Sequence, residues 1–382
     1  MAYKSSKYIF VTGGVVSGLG KGITAASLAR LLINRGMHVT ILKLDGYLNV
    51  NPAQISPLKH GEIYVTSDFK STDLDLGHYE RFLDIELKEK NSFSMGQIYN
   101  RVFQKESLNL YGNNDIQVIP HVTNEIKEII RTAGLDNDLT IVEIGGTVGD
   151  IEQMSYMEAI RQLRSEMGHG NTLCIHVTLV PYLECSGEIK TKPTQASVRD
   201  LSKMGINTDI LVCRTNKGIE LDETTRKKLA MFCNLDDERH VIHCPDCQSI
   251  YQVPITIKEQ NMDDIVLAKL DIPPTPCNIP ISEWRDMVDK LLAKHPKSIS
   301  VSINGKYTEN KDAYLSIIES FKHAAAHCKV GIDFKFNTKK ADIIVEGDMH
   351  PYALRENARP VQFLSRPYKP HEHFINLIKG VI

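Results

Sequence analysis

The strand-forming run Tyr8-Ile9-Phe10-Val11-Thr12 breaks into Gly13-Gly14 and reaches Gly20-Lys21-Gly22, just before an Ala/Leu-rich stretch from about Ile23 to Asn34. Gly36 ends that helical pattern, as glycine commonly does past a helix C-terminus, and Val39-Thr40-Ile41-Leu42-Lys43-Leu44-Asp45 reads as the next strand. A strand–loop–helix–strand order demands a parallel sheet with a crossover helix. The loop Gly14-Val15-Val16-Ser17-Gly18-Leu19-Gly20-Lys21-Gly22 fits a polyphosphate. Successive backbone N–H groups and a helix N-terminus make a concave positive site, glycines permit close approach, and Lys21 adds a point charge. The bland alternative, a glycine-rich turn with a solvated lysine, explains the letters but not their place between strand and helix. Five residues separate Gly14 from Gly20, one more than the common phosphate-loop spacing, and Gly22 stands where a magnesium-binding hydroxyl is usual. A metal here needs other ligands.

Further strands are expected at Ile116–Pro120, Leu139–Ile144, Thr172–Leu179 and Asp209–Arg214, with helices at Ile151–Glu166 and Thr191–Met204. The expected fold is α/β: a doubly wound, mostly parallel sheet over residues 1–268. Residues 270–281 hold four prolines, which deny helix and central strand. Residues 269–296 therefore read as a linker with a short helix around Trp284–Lys294, and the strand Ser298–Ile303 opens a second, smaller α/β unit over 297–382. A net charge of −2 offers no field to recruit nucleic acid or an anionic membrane. Eight scattered cysteines read as free thiols of a reducing cytoplasm. No apolar run is long enough to span a bilayer, and the N-terminal residues lack a signal peptide's apolar segment.

Carboxylates for a metal have two candidate sources. Thr72-Asp73-Leu74-Asp75-Leu76-Gly77-His78 is acidic, and Glu143 ends the apolar strand Thr140-Ile141-Val142. The C-terminal ends of parallel strands face the crevice where such sheets bind ligands, and carboxylate oxygens suit hard Mg²⁺. Taken singly, each carboxylate is better read as a helix cap or a surface charge. Lys43 and Asp45 end a strand at the same edge, and that convergence favours a site. Ser186-Gly187-Glu188-Ile189-Lys190-Thr191-Lys192-Pro193-Thr194-Gln195 suggests a second anionic ligand if a helix begins near Pro193. A solvated basic turn is the even alternative.

Taken together, Val11–Ser17, Thr72–Phe82, Val142-Glu143-Ile144-Gly145-Gly146-Thr147-Val148-Gly149-Asp150-Ile151-Glu152 and Gly187–Gln195 resemble the CTP synthase family, almost continuously from Lys7 to about residue 265. The resemblance implies a phosphate-loop ligase domain like that of dethiobiotin synthetase, ATP as co-substrate, Mg²⁺, UTP as acceptor, and a cytoplasmic homotetramer; whether filaments form is not legible in the sequence. Ser17, Gly18, Leu19, Gly20, Lys21 and Gly22 are implied to hold ATP phosphates, and Lys43 to stabilise the transferring phosphoryl group. Arg214, Asp246 and Cys247 are implied to line the adenine site. Asp75 and Glu143 are the implied magnesium ligands. Ser17, Lys190, Thr191, Lys192, Gln195 and Lys228 are implied for UTP. Asp150, Ile151 and Glu152, with Lys190, Gln195 and Lys228, are implied for inhibitory CTP. Pro57 and His60 match the ammonia route. Gly46, Asn51 and Phe69-Lys70-Ser71 depart from the family pattern without touching these residues. Under this resemblance Cys244-Pro245-Asp246-Cys247 is part of an adenine site rather than a zinc pair, which in any case lacks a second pair of ligands.

Family members carry a glutaminase domain after the linker. Its start resembles Ile303-Asn304-Gly305-Lys306-Tyr307 and Asp312–His323, and its end Phe363-Leu364-Ser365-Arg366-Pro367 and Phe374–Ile378. About 85 residues remain. Leu354–Pro360 resembles the strand leading to a nucleophile turn, but no Gly-x-Cys-x-Gly follows, and His350-Pro351-Tyr352 lacks the acid of a His-Pro-Glu motif. Cys328, in Ala326-His327-Cys328-Lys329, reads as a packed thiol. The expectation is an ATP-dependent amination of UTP by free or externally supplied ammonia, with a separate glutaminase as an external source. The alternatives are an idle assembly subunit, and another phosphate-loop ligase of the dethiobiotin synthetase kind, which the Lys190–Gln195 block does not fit.

Overall fold

The computed structural model describes residues 6–346 and 366–382. The motifs read at His350-Pro351-Tyr352, Leu354–Pro360 and Phe363-Leu364-Ser365 lie outside the described residues. The chain divides into two compact units, one of residues 1–50 and 93–281, the other of residues 51–92 and 282–382. This grouping follows compactness, whereas the expected boundaries at 268 and 296 follow the strand–helix pattern and the proline-rich stretch.

The first unit is built on β1 (Lys7–Gly14), β2 (Val39–Asp45), β3 (Ser92–Ser94), β4 (Leu139–Ile144), β5 (Thr172–Leu179), β6 (Ile210–Thr215) and β7 (Val241–Pro245). These form one seven-stranded sheet in the order β7-β6-β5-β1-β4-β2-β3. β1 pairs in parallel with both β4 and β5, β2 with β4, and β6 with β5 and β7. The chain passes from β4 to β5 across β1, so the winding reverses at β1, where doubly wound sheets open their ligand crevice. The connecting helices include α1 (Lys21–Asn34), α2 (Met95–Ser107), α3 (Thr123–Ala133), α4 (Met154–Met167), α5 (Lys192–Lys203) and α6 (Glu223–Phe232). The strands read as continuous apolar runs because helices cover both faces. Ile9, Phe10, Val11, Ile41, Leu42, Ile141, Val142 and Ile175 have no exposed surface. Ala25, Ala26, Leu28, Ala29 and Leu32 bury α1 almost all round, against the sheet and the helix Val253–Glu259. The proline-rich stretch has no regular structure, and Asn278 and Ile279 donate their backbone N–H groups to Asn34 O at the end of α1.

One expectation is corrected. Ile116–Pro120 is not a strand: Val118–Val122 forms a helical turn leading into α3, fixed by Thr123 Oγ1 donating to Pro120 O at 3.1 Å. Val118 and Ile119 are about half exposed, and the turn meets the core through Ile116 and the buried Val122 on either side of them.

In the second unit, β8 (Ser298–Asn304) lies between β9 (Gly331–Phe336) and β10 (Ile343–Glu346), parallel to both. Helices α7 (Leu315–Cys328) and α8 (Glu372–Lys379) pack their apolar faces on this sheet, with Phe321 and Phe374 edge to face at 4.9 Å. The segment 51–92 folds into the same unit. Asn310 Nδ2 donates to Pro57 O at 3.0 Å, Glu62 N to Asp312 O at 2.8 Å, and Phe82 stacks near Trp284 at 5.6 Å.

Candidate active site

The loop after β1 has the backbone that its glycines foretell. Gly18 and Gly20 sit at φ 72° and 82°, a region costly for side-chain-bearing residues. Val15 is also there, at φ 80°, and a β-branched residue in the left-handed region stores strain of about 1–3 kcal/mol. Strain of this kind collects at functional loops, and no spacing motif announced it. Thr24 ties the first turn of α1 back to Gly20 O through its N–H and its hydroxyl, both at 2.9 Å. Lys21, with 7% exposure, runs along Gly13 and donates from Nζ to Gly146 O at 2.6 Å. The loops after β1 and β4 are joined a second time by Val148 N donating to Gly13 O at 2.8 Å.

The adjacent strand ends carry the charged cluster. Lys43 and Glu143 are direct register partners on β2 and β4, and Lys43 Nζ donates to Glu143 Oε1 at 3.1 Å. Both are nearly buried, at 5% and 2% exposure. Asp45 Oδ1 lies 3.8 Å from the same Nζ. Gly145 accommodates this group closely: a Cβ there would lie 2.0 Å from Asp45 Oδ1. Gln153 donates to Gly145 O, and Tyr156 hydroxyl to Asp45 O at 2.9 Å, so the start of α4 fastens the floor of this edge. Lys21, Lys43, Asp45 and Glu143 are thus gathered at the C-terminal ends of β1, β2 and β4, as their sequence positions suggested.

The second basic segment also has its expected form. Lys192 and Pro193 open α5, Lys190 N donates to Pro181 O at 2.9 Å, and Thr194 Oγ1 donates to Leu179 O at 2.9 Å. Gln195 Nε2 donates to Thr191 Oγ1 at 3.0 Å, and Lys190 pairs with Glu188. Lys228 lies on α6, exposed. Asp150 accepts from Thr147 N at 2.8 Å, and Ile151 beside it is 86% exposed. Arg214 Nη2 donates to Asp246 Oδ1 at 2.6 Å, so this part of the adenine-site set is brought together. Burial raises both Cys244 and Cys247 above the ordinary thiol range, which disfavours metal-binding thiolates. Among the described residues no cluster of three or more metal-ligating side chains forms. Asp75 opens the helix Asp75–Leu83, and Pro57 and His60 form one helical turn, all in the second unit.

Two buried residues escaped sequence reasoning. His176 on β5 and Ser197 on α5 hydrogen-bond at 2.8 Å, and His176 Nδ1 lies 2.9 Å from Thr12 Oγ1. Burial, helped by the charge of Lys21, lowers His176 to about 3, so the ring is neutral. An isolated histidine in an apolar strand carries no sequence signal beyond its oddity.

Residues 7–272 match the family described as the CTP synthase N-terminus. The CTP synthase of Bacillus cytotoxicus is 49% identical over 333 residues, covering 87% of this chain and 61% of that protein. That of Staphylococcus saprophyticus is 48% identical with the same coverage, and that of Desulfitobacterium hafniense 52% identical over 84% of this chain and 59% of its own length. The chain therefore spans about three-fifths of the length of the curated relatives it matches. On this match over residues 7–272 and these identities, this chain belongs to the CTP synthase family.

Proposed function

We propose that this protein aminates UTP to CTP at the expense of ATP, with ammonia as the nitrogen donor. The observation that carries the reading is the gathering of Lys21, Lys43 and Glu143 at the ends of three adjacent parallel strands. The oxygen at carbon 4 of the UTP ring is a poor leaving group. Transfer of the ATP γ-phosphoryl group to it gives ADP and a 4-phosphorylated ring; ammonia then adds at carbon 4, and phosphate departs with that oxygen as CTP forms. Such transfers depend on alignment and on stabilising the charge of the moving phosphoryl group. Ser17–Gly22 supplies backbone donors for the ATP phosphates. Lys21 exchanges its Gly146 carbonyl for a phosphate oxygen, and Lys43 offers positive charge where the phosphoryl group passes. Lys190, Thr191, Lys192, Gln195 and Lys228 take the UTP, and Arg214, Asp246 and Cys247 the adenine. Asp150, Ile151 and Glu152 serve product CTP. Glu143 and Asp75 are the carboxylates proposed for Mg²⁺; oxygen donors of this kind fit the ion, which would shield the triphosphate charge.

The use of ammonia rather than glutamine is supported by Cys328. It closes the helix α7 instead of sitting on a strand–helix turn, and burial raises its thiol. Self-association as a tetramer is supported by apolar side chains left bare on the first unit, among them Phe103, Leu108, Leu110, Ile119, Ile151 and Met154. Among the described residues no helix is long and apolar enough to cross a membrane.

The test is CTP formation by purified protein with ATP, UTP and Mg²⁺, comparing ammonium with glutamine. Activity with ammonium alone is expected. Turnover with glutamine by the protein alone would overturn the ammonia assignment, and no turnover with either from a folded oligomer would point to an idle assembly subunit.

A further inference from the structure

Buried sheet positions near β1 are apolar almost throughout, as at Ile9, Phe10, Val11, Ile175 and Val177, yet His176 interrupts the pattern with no exposed surface. If filling space were its only task, an apolar side chain would do so without two polar nitrogens to satisfy. Both nitrogens are satisfied, and by informative partners. Thr12, its register partner on β1, stands two residues before Gly14 and the phosphate loop. Nδ1 lies 2.9 Å from Thr12 Oγ1 and Nε2 2.8 Å from Ser197 Oγ, so the neutral ring donates to one hydroxyl and accepts from the other. Ser197 is pressed onto the loop as well: a Cβ built on Gly14 would lie 1.6 Å from Ser197 Oγ and 3.0 Å from His176 Nε2. Five residues along α5, about 7.5 Å back along its axis, is Lys192 at the helix start.

We propose that the Thr12–His176–Ser197 bridge is a spacer that fixes the phosphate loop against the N-terminal end of α5, making His176 a positioning residue for the alignment of the two nucleoside triphosphates. The proposal rests on the reading of α5 as the UTP-binding element. Apolar packing tolerates small slips of a helix over a sheet, whereas two directional hydrogen bonds and a contact that admits no Cβ do not. The alignment of reacting groups is where small slips are most damaging, since an error of about 1 Å can cost about 10²-fold in rate.

The experiment is steady-state CTP formation with ammonium, varying ATP and UTP separately, together with thermal unfolding. His176→Phe is expected to lower kcat by about 10- to 100-fold while each KM stays within about 3-fold, because the substrates still bind but meet out of line. Ser197→Ala breaks the same bond from the helix side and should give the same pattern if His176→Phe fails to fold. His176→Gln keeps a hydrogen-bond partner for Ser197 and should retain most of kcat. The double variant H176F/S197A removes both polar partners, so it should regain thermal stability without regaining kcat. An unchanged kcat in Ser197→Ala, or a kcat that recovers with stability in the double variant, would overturn the proposal. A wild-type protein that makes no CTP would instead refute the function on which it rests.

Discussion

Both units bury charged side chains, but to different ends. In the first, Lys43 and Glu143 pair at the ends of neighbouring strands, beside a strained loop, where the sheet opens its crevice. In the second, buried and half-buried charges stitch distant stretches of chain together. Glu62 accepts from Ser316 N at 2.8 Å and Ser316 Oγ at 2.6 Å, Arg81 donates to Ser316 Oγ at 3.3 Å, and Arg366 pairs with Asp84. Glu80 is held by the Tyr64 hydroxyl and Leu87 N, each at 2.7 Å. Burial and charge alone therefore do not distinguish a reacting group from a structural one. Position does: strand ends at the winding reversal in one case, contacts between the segment 51–92 and the C-terminal residues in the other.

The comparison can be broken most directly at Lys43. Lys43→Ala would leave Glu143 buried against a void, so Lys43→Gln, which keeps a donor, is the cleaner change. It should reduce CTP formation by about 10²- to 10³-fold, the usual cost of losing one charge-stabilising group, with the melting temperature little altered. A variant that loses stability but keeps its rate would place Lys43 among the structural charges. Ser316→Ala should do the converse. Removing the hydroxyl takes away its bond to Glu62 and its bond from Arg81, while the Ser316 N–H bond to Glu62 stays; the loss is expected to cost about 1–3 kcal/mol in denaturant unfolding, with kcat measured at low temperature within about 2-fold of wild type. Glu80 gives the finest test. Burial, its largest influence, raises the carboxyl from 4.5 to about 7. The native state then holds this proton more tightly than the unfolded chain, so the contribution is full below pH 4.5 and is lost as pH rises through 7. Between pH 5 and 7, Glu80→Gln should gain on wild type by about 1.4 kcal/mol per pH unit, read from urea unfolding at each pH. A gap that does not change with pH would mean that Glu80 is ionised throughout.

The sheet was legible where strands are apolar and closed by glycine or charge, as at Lys7–Gly14, Val39–Asp45 and Leu139–Ile144. Ile116–Pro120 misled because a short β-branched run is ambiguous without its partners, and only tertiary pairing decides between strand and helical turn. Ser92–Ser94 and Val241–Pro245 were not foreseen; one is three residues long and the other ends in proline. At the site, residues arranged in motifs were readable, since glycine, lysine and carboxylate recur at spacings set by a loop or a strand end. Val15, His176 and Ser197 were not, because strain and bridging arise from neighbours remote in sequence. The grouping of 51–92 with 282–382 was hidden for the same reason.

That interleaving bears on how the protein is made. Synthesis delivers residues 51–92 well before Ser316, Trp284 and Arg366, which bind them. The strands of the long sheet can therefore pair before this excursion meets Trp284 and Ser316, and the excursion settles only after those residues have been made.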